Sequence, residues 1–212
     1  LFLTHAHIDH SGNIPNLVKS GFTGDIICTY ATRDLCAIML KDSANIQEYD
    51  IEYLNKKRAS KNLPPLDPIY RMEDVTSSLK QFIGLGYDRP YQVLPGIWLT
   101  FYDAGHILGS AITVLDIEDE EDQQKKRLVF SGDIGRPDRP ILNDPEFIDE
   151  ADVLLLESTY GDRYHPAQEE ANDRLEHIVN ETCRRGGTLI VPAFAVGRTQ
   201  ELVYRLHQLV QA

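Results

Sequence analysis

Near the start of the chain stands the run His5-Ala6-His7-Ile8-Asp9-His10, and no other segment limits the possible folds so tightly. Three imidazoles and a carboxylate fall within six residues, directly after the apolar lead-in Leu1-Phe2-Leu3-Thr4. Imidazole suits zinc, and a carboxylate adds charge and the option of bridging. On a tightly turned loop His5 and His7 project to the same side and share one ion. Asp9 and His10 then turn toward a second. The plain alternative is a surface histidine cluster. Two later segments strengthen the metal reading. Ala104-Gly105-His106-Ile107-Leu108-Gly109-Ser110 puts a histidine in a glycine-flanked turn after a strand. Phe130-Ser131-Gly132-Asp133-Ile134-Gly135 does the same with an aspartate. Strand-end loops are where layered folds place ligands.

The rest of the chain has to supply those strands. Short β-branched or aromatic runs predict strands at Asp25–Tyr30, Ile97–Tyr102, Ala111–Ile117, Arg127–Ser131, Val153–Leu156 and Thr188–Val191. A helix is expected from about Ala167 to Arg184. Ala171, Leu175, Ile178 and Thr182 line one face of it, and Gly186-Gly187 ends it. Ala31 to about Ala59 reads as helical but broken, and Glu73–Phe82 as a shorter helix. Pro64, Pro65 and Pro68 make the stretch 59–70 a loop. Glu201 to Val210 is amphipathic and helical, with no stop signal. Strands alternating with helices imply a layered α/β architecture.

Composition narrows the classes further. The chain has 212 residues and a net charge of −12, which argues against a general nucleic-acid binder. Glu118-Asp119-Glu120-Glu121-Asp122, between two strand candidates, reads as a solvated hairpin tip and carries five of the negative charges. No apolar run is long enough for a membrane span. Cys28, Cys36 and Cys183 form no C-x-x-C pair, so buried free thiols in a reducing, cytoplasmic setting are expected. The first residue is Leu, and the last helix runs uncapped to the end. Both features suggest an internal stretch of a longer protein.

Taken together, the three metal motifs resemble the metallo-β-lactamase superfamily, an αββα sandwich with two metal ions at one edge of its paired sheets. The resemblance implies that His5, His7 and His106 hold a first zinc and that Asp9 and His10 hold a second. Asp133 would bridge the two, and Asp9 would also orient the nucleophile. One further histidine ligand is expected beyond Ala212, since His165, His177 and His207 lack the strand-end context.

Two more segments are similar to the β-CASP branch, which includes the endonuclease subunit of the cleavage and polyadenylation machinery. They are Glu157-Ser158-Thr159-Tyr160-Gly161 and the run from Gly186 through Pro192-Ala193-Phe194-Ala195-Val196-Gly197-Arg198-Thr199-Gln200-Glu201-Leu202. Glu157 matches a catalytic carboxylate that in the family orients a proton-donating histidine of a cap domain. The other reading for Glu157 is a strand-end cap or ion pair. Arg198 contacts phosphate in one reading and pairs with Glu201 in the other. His165 is a candidate for the substrate cleft. The form of these motifs sides with RNA over DNA.

The resemblance thus implies a partial metallo-β-lactamase domain over residues 1–160 and the start of a β-CASP domain over 161–212. It implies two zinc ions and hydrolysis of single-stranded RNA, endo- or exonucleolytic, by a homodimer or within an RNA-processing complex. A glyoxalase II-like thioesterase and a non-catalytic scaffold subunit are the rival readings.

Overall fold

The structure is a computed structural model that describes residues 1–118, 124–164 and 168–211. His165 and the acidic residues 119–122 lie outside the described residues. The first half contains α1 (Ile8–Ser11), α2 (Ile14–Lys19), β1 (Ile26–Thr29), α3 (Tyr30–Ala59), α4 (Met72–Leu79) and β2 (Phe82–Leu85). The second contains β3 (Tyr91–Leu94), β4 (Ile97–Asp103), β5 (Ala111–Glu118), β6 (Lys125–Phe130), β7 (Val153–Leu155), α5 (Gln168–Arg184) and α6 (Arg198–Gln211).

The strands form two sheets. β1 and β2 pair in parallel, and Phe2 adds a parallel bridge to Ile27. The larger sheet has the order β3-β4-β5-β6-β7, antiparallel except for the final β6–β7 pair. Side chains alternate across a strand, and β1 uses both of its faces. Ile26 and Cys28 pack with Cys36, Leu40 and Ala44 of α3 and Val75 of α4. Ile27 faces the other way, onto Leu99, Phe101, Ala111 and Leu115 of the larger sheet. Three layers result: helices, small sheet, large sheet. The outer face of the large sheet carries a smaller cluster of Ala104, Ile112, Val114 and Val129.

Five of the six expected strands form. Thr188–Val191 does not; it is irregular, with Ile190 exposed. No neighbouring strand takes up its backbone donors and acceptors among the described residues, and a strand without a partner gains nothing over solvated coil. β2 and β3 were not expected. Gly84 masks β2, yet it is needed there, because a Cβ at that position would lie 2.6 Å from the Tyr30 ring. β3 is a four-residue edge strand, three-quarters of it exposed, so no burial pattern marks it.

α3 is continuous, contrary to the expected break. Thr29 caps it by accepting from the Thr32 N–H at 3.2 Å, and Thr32, Cys36, Leu40 and Ala44 are buried at every fourth position. That ridge anchors its first half. The rest is sustained by surface pairs such as Glu52–Lys56. α5 ends near Gly186 as expected, but of its apolar face only Thr182 is buried. The expected hairpin of β5 and β6 forms, with Glu118 opposite Lys125. No helix among the described residues is long and apolar enough to cross a membrane.

Candidate metal centre

The segment after Leu3 leaves the small sheet and crosses to the large one, where Thr4 O accepts from the Ala111 N–H at 2.8 Å. This brings His5 under the β4–β5 connection. The chain then turns into α1, and the His10 and Ser11 amides both donate to His7 O, at 3.0 and 2.9 Å. Asp9 and His10 therefore ride on one helical turn, with His10 reaching toward Asp133 and Asp9 exposed beside it.

His106 sits in the connection between β4 and β5. Ser110 Oγ accepts from the His106 and Ile107 amides at 3.0 and 3.2 Å and so shapes that loop from within. Gly109, at φ +85°, presses on Thr29 and Thr32, whose hydroxyls both donate to its carbonyl. Asp133 follows β6. The loop beyond it is pinned to the His106 loop by Gly135 N–H donating to Ala104 O at 2.7 Å. A Cβ at Gly135 would fall 1.7 Å from Gly105 O, so only glycine allows the two loops this approach.

One ligand atom from each of His5, His7, His106 and Asp133 lies within 4.8 Å of the others. The Asp133 carboxylate is shared out between its neighbours. Its Oδ2 lies 3.7 Å from His5 Nε2 and 3.5 Å from His106 Nε2, while Oδ1 lies 3.4 Å from His10 Nε2. Asp9 Oδ2 lies 3.7 Å from His10 Nε2, at the exposed edge of the group. His7 Nδ1 and His106 Nε2 are 3.2 Å apart. The structure brings all six expected ligands to one strand-end edge. Four form the tight cluster, and His10 and Asp9 flank it on the side of Oδ1.

The donors fit a cation. His5 is fully buried, and burial, then His10, His106 and His7, push its pKa down to about 3. His106 is lowered as well, first by burial and then by His7. Neutral imidazoles are the ligand form. A proton on His5 Nδ1, shared with Thr4 Oγ1 at 3.2 Å, leaves Nε2 as a lone pair. That Nε2 is buried and has no hydrogen-bond partner among the described residues. An orphaned buried polar atom is costly unless something else occupies its lone pair.

Glu157 reaches the same edge from the end of β7. Its Oε1 accepts from the Ile134 N–H at 2.5 Å, and its own N–H donates to Ser131 Oγ at 3.0 Å. The carboxylate thus braces the turn that carries Asp133. Ser110 and Ser131 stand within the motifs, but the sequence assigns them no role. Their signal was their place beside a ligand in a glycine-bearing turn.

Other expectations resolve differently. Glu201 pairs with Arg139 at 2.9 Å, so it is not the partner of Arg198. His177 and His207 are exposed on their helices, as expected. Cys28 and Cys36 are buried free thiols, whereas Cys183 is exposed, because α5 presents that side to solvent.

No protein-family model matches the chain. Among curated proteins it is similar to the transcription termination factor FttA of Methanosarcina mazei, at 34% identity over 100% of this chain and 31% of the relative. The FttA of Methanocaldococcus jannaschii is 36% identical over 98% of this chain and 30% of the relative. Ribonuclease TTHA0252 of Thermus thermophilus is 35% identical over 98% of this chain and 42% of the relative. The chain therefore spans less than half the length of the relatives it matches.

Proposed function

We propose that this chain is the metal-binding core of a zinc-dependent ribonuclease of the metallo-β-lactamase superfamily, β-CASP group. The observation that carries the reading is the division of Asp133, one oxygen toward His5 and His106 and the other toward His10. A carboxylate split in this way suits two cations, with His5, His7 and His106 on one and Asp9 and His10 on the other. One relative is named for ribonuclease activity and two for transcription termination, and the ribonuclease name supports the reading. Residues 1–160 would form the metallo-β-lactamase part and 161–212 the beginning of the cap.

A bound zinc pair would supply a hydroxide nucleophile near neutral pH and polarise a phosphoryl oxygen. The chain's own residues set up the place for that chemistry. His5 and His106 stay neutral through burial and so keep their lone pairs available. Asp9, exposed at the edge, would help orient the nucleophile as well as bind metal. Glu157 fixes the Asp133 turn and would orient a proton donor toward the leaving oxygen.

Zinc content of the intact protein tests the two-cation reading. Native mass spectrometry is expected to find two zinc ions per chain, reduced to one or none in Asp133→Ala. Two ions in the folded variant would remove the bridging role.

A further inference from the structure

The segment from Ala104 to Ser110 stands beyond the β4–β5 ladder, whose last pair is Asp103 with Ala111. It is closed on itself. The Ala104 N–H donates to Ser110 O at 3.1 Å and the Ser110 N–H to Ile107 O at 2.9 Å, while Ser110 Oγ takes the His106 and Ile107 amides. A loop bonded internally in this way moves as a unit. Whatever holds its base therefore sets where the His106 imidazole lies.

Three hydroxyls hold that base, and none stands on a segment that carries a ligand. Thr29 Oγ1 and Thr32 Oγ1 donate to Gly109 O at 2.7 and 2.8 Å, and the Tyr87 hydroxyl donates to the next carbonyl, Ser110 O, at 2.9 Å. Gly109 O thereby fills both of its lone pairs. Thr29 and Thr32 are buried and Tyr87 is half-buried, so these bonds form away from competing water. Helix capping explains only part of the arrangement. Thr29 caps α3 by accepting from the Thr32 N–H. Threonines near a helix end ordinarily bond their own backbone, yet the Thr32 hydroxyl turns to a carbonyl 77 residues away.

The three donors share one end of the small sheet. Thr29 pairs with Leu85, and Tyr87 follows two residues later. The same strand fixes the segment that leads into His5, since the Leu3 N–H donates to Ile27 O at 2.9 Å. β1 is therefore a common fixture for the His5 segment and the His106 loop, and both imidazoles belong to the tight cluster.

We propose that Thr29, Thr32 and Tyr87 are positioning residues that set His106 against His5 and His7 for the first cation, acting through the carbonyls of Gly109 and Ser110. This rests on the metal reading above. With a donor lost, the loop is free to tilt about the end of the ladder, and the imidazoles fit a cation less well. Groups that orient metal ligands from behind are commonly worth about 10–100-fold in metal affinity.

The test is the zinc affinity of the intact protein, by competition with a chromophoric chelator. Beside it stands the visible spectrum of the cobalt-substituted protein, which reports the geometry around the ion. T32V removes one hydroxyl at nearly constant size, Y87F removes another and keeps the ring, and T32S restores the first donor. S78A is the control, because Ser78 is also buried and donates to Val75 O at 2.9 Å within α4, in the helical layer. T32V is expected to bind the first zinc about tenfold more weakly and to shift the cobalt bands. Y87F should move both readouts in the same direction by less, and T32S should match wild type. S78A should lower the melting temperature and leave zinc affinity and cobalt spectrum unchanged. Folded T32V and Y87F with wild-type affinity and spectrum overturn the proposal; if T32V does not fold, Y87F alone decides. Weakening by S78A equal to that by T32V also overturns it, since zinc binding would then follow stability alone. When either result comes with a wild type that binds zinc, only the positioning role fails. A wild type that binds no zinc removes the metal reading, and the positioning role with it.

Discussion

Asp133 and Ser110 act on the same cluster by different means, and their substitutions should part accordingly. Asp133→Ala removes a ligand atom from each side of the proposed pair, so RNA cleavage should fall by at least about 100-fold with little change in melting temperature. Cleavage rates beside a thermal melt check this. Ser110 is fully buried, and its hydroxyl serves two backbone amides. Ser110→Ala leaves those amides without an acceptor and should cost about 1–3 kcal/mol of stability, read by denaturant unfolding. His5 adds a pH signature to the chelated protein. Its folded pKa, about 3, lies below the ordinary 6.5, so the unfolded chain binds a proton that the folded chain refuses. The stability this gives is complete above pH 6.5 and drains away as pH falls toward 3. Denaturant midpoints measured over that window should fall with pH, and less steeply in His5→Asn. The histidines and Asp133 were legible in the sequence because ligand chemistry restricts residue type. The division of the Asp133 oxygens was not, because it depends on how three separate strand ends meet.

At the scale of elements, the loops that carry His106 and Asp133 are joined by a glycine. Gly135→Ala would place a methyl group against the Gly105 carbonyl, so one loop must move. Overpacking of this kind costs about 1–3 kcal/mol, and here the displaced parts carry His106 and Asp133. Zinc affinity should therefore fall together with stability, as isothermal titration and thermal melts would show; a stable Gly135→Ala with unchanged zinc affinity would mean that the loops are not coupled. The strands that bring His106 and Asp133 together were readable from their β-branched and aromatic runs. The failures were of another kind. Thr188–Val191 has strand residues but no partner strand among the described residues, and Ile190 is left exposed. β2 has a partner but carries Gly84, a breaker by composition that only the packing of Tyr30 explains. α3 lacks a strong apolar stripe beyond Ala44, so its continuity rests on the Thr29 cap and on surface ion pairs rather than on burial.

For the molecule as a whole, the layering hides some groups and leaves others open. Cys28 and Cys36 lie between α3 and the small sheet, where burial raises both thiols to about 12. Thiols in that state react slowly. Iodoacetamide should modify only Cys183 in the native protein and all three cysteines after denaturation, as counted by mass spectrometry. A layered α/β architecture was implied by alternating strands and helices, whereas the exposure of α5 and β7 was not. Periodicity shows which face of an element is apolar; it does not show what covers that face. The central claim is that this cluster cleaves RNA, and one assay meets it directly. End-labelled single-stranded RNA and DNA of the same sequence are incubated with the intact protein and its His7→Ala variant, with zinc or with chelator. The account predicts RNA cleavage that requires zinc, spares DNA and is lost in folded His7→Ala. Full RNA cleavage by that variant, or none by the zinc-loaded wild type, would contradict it.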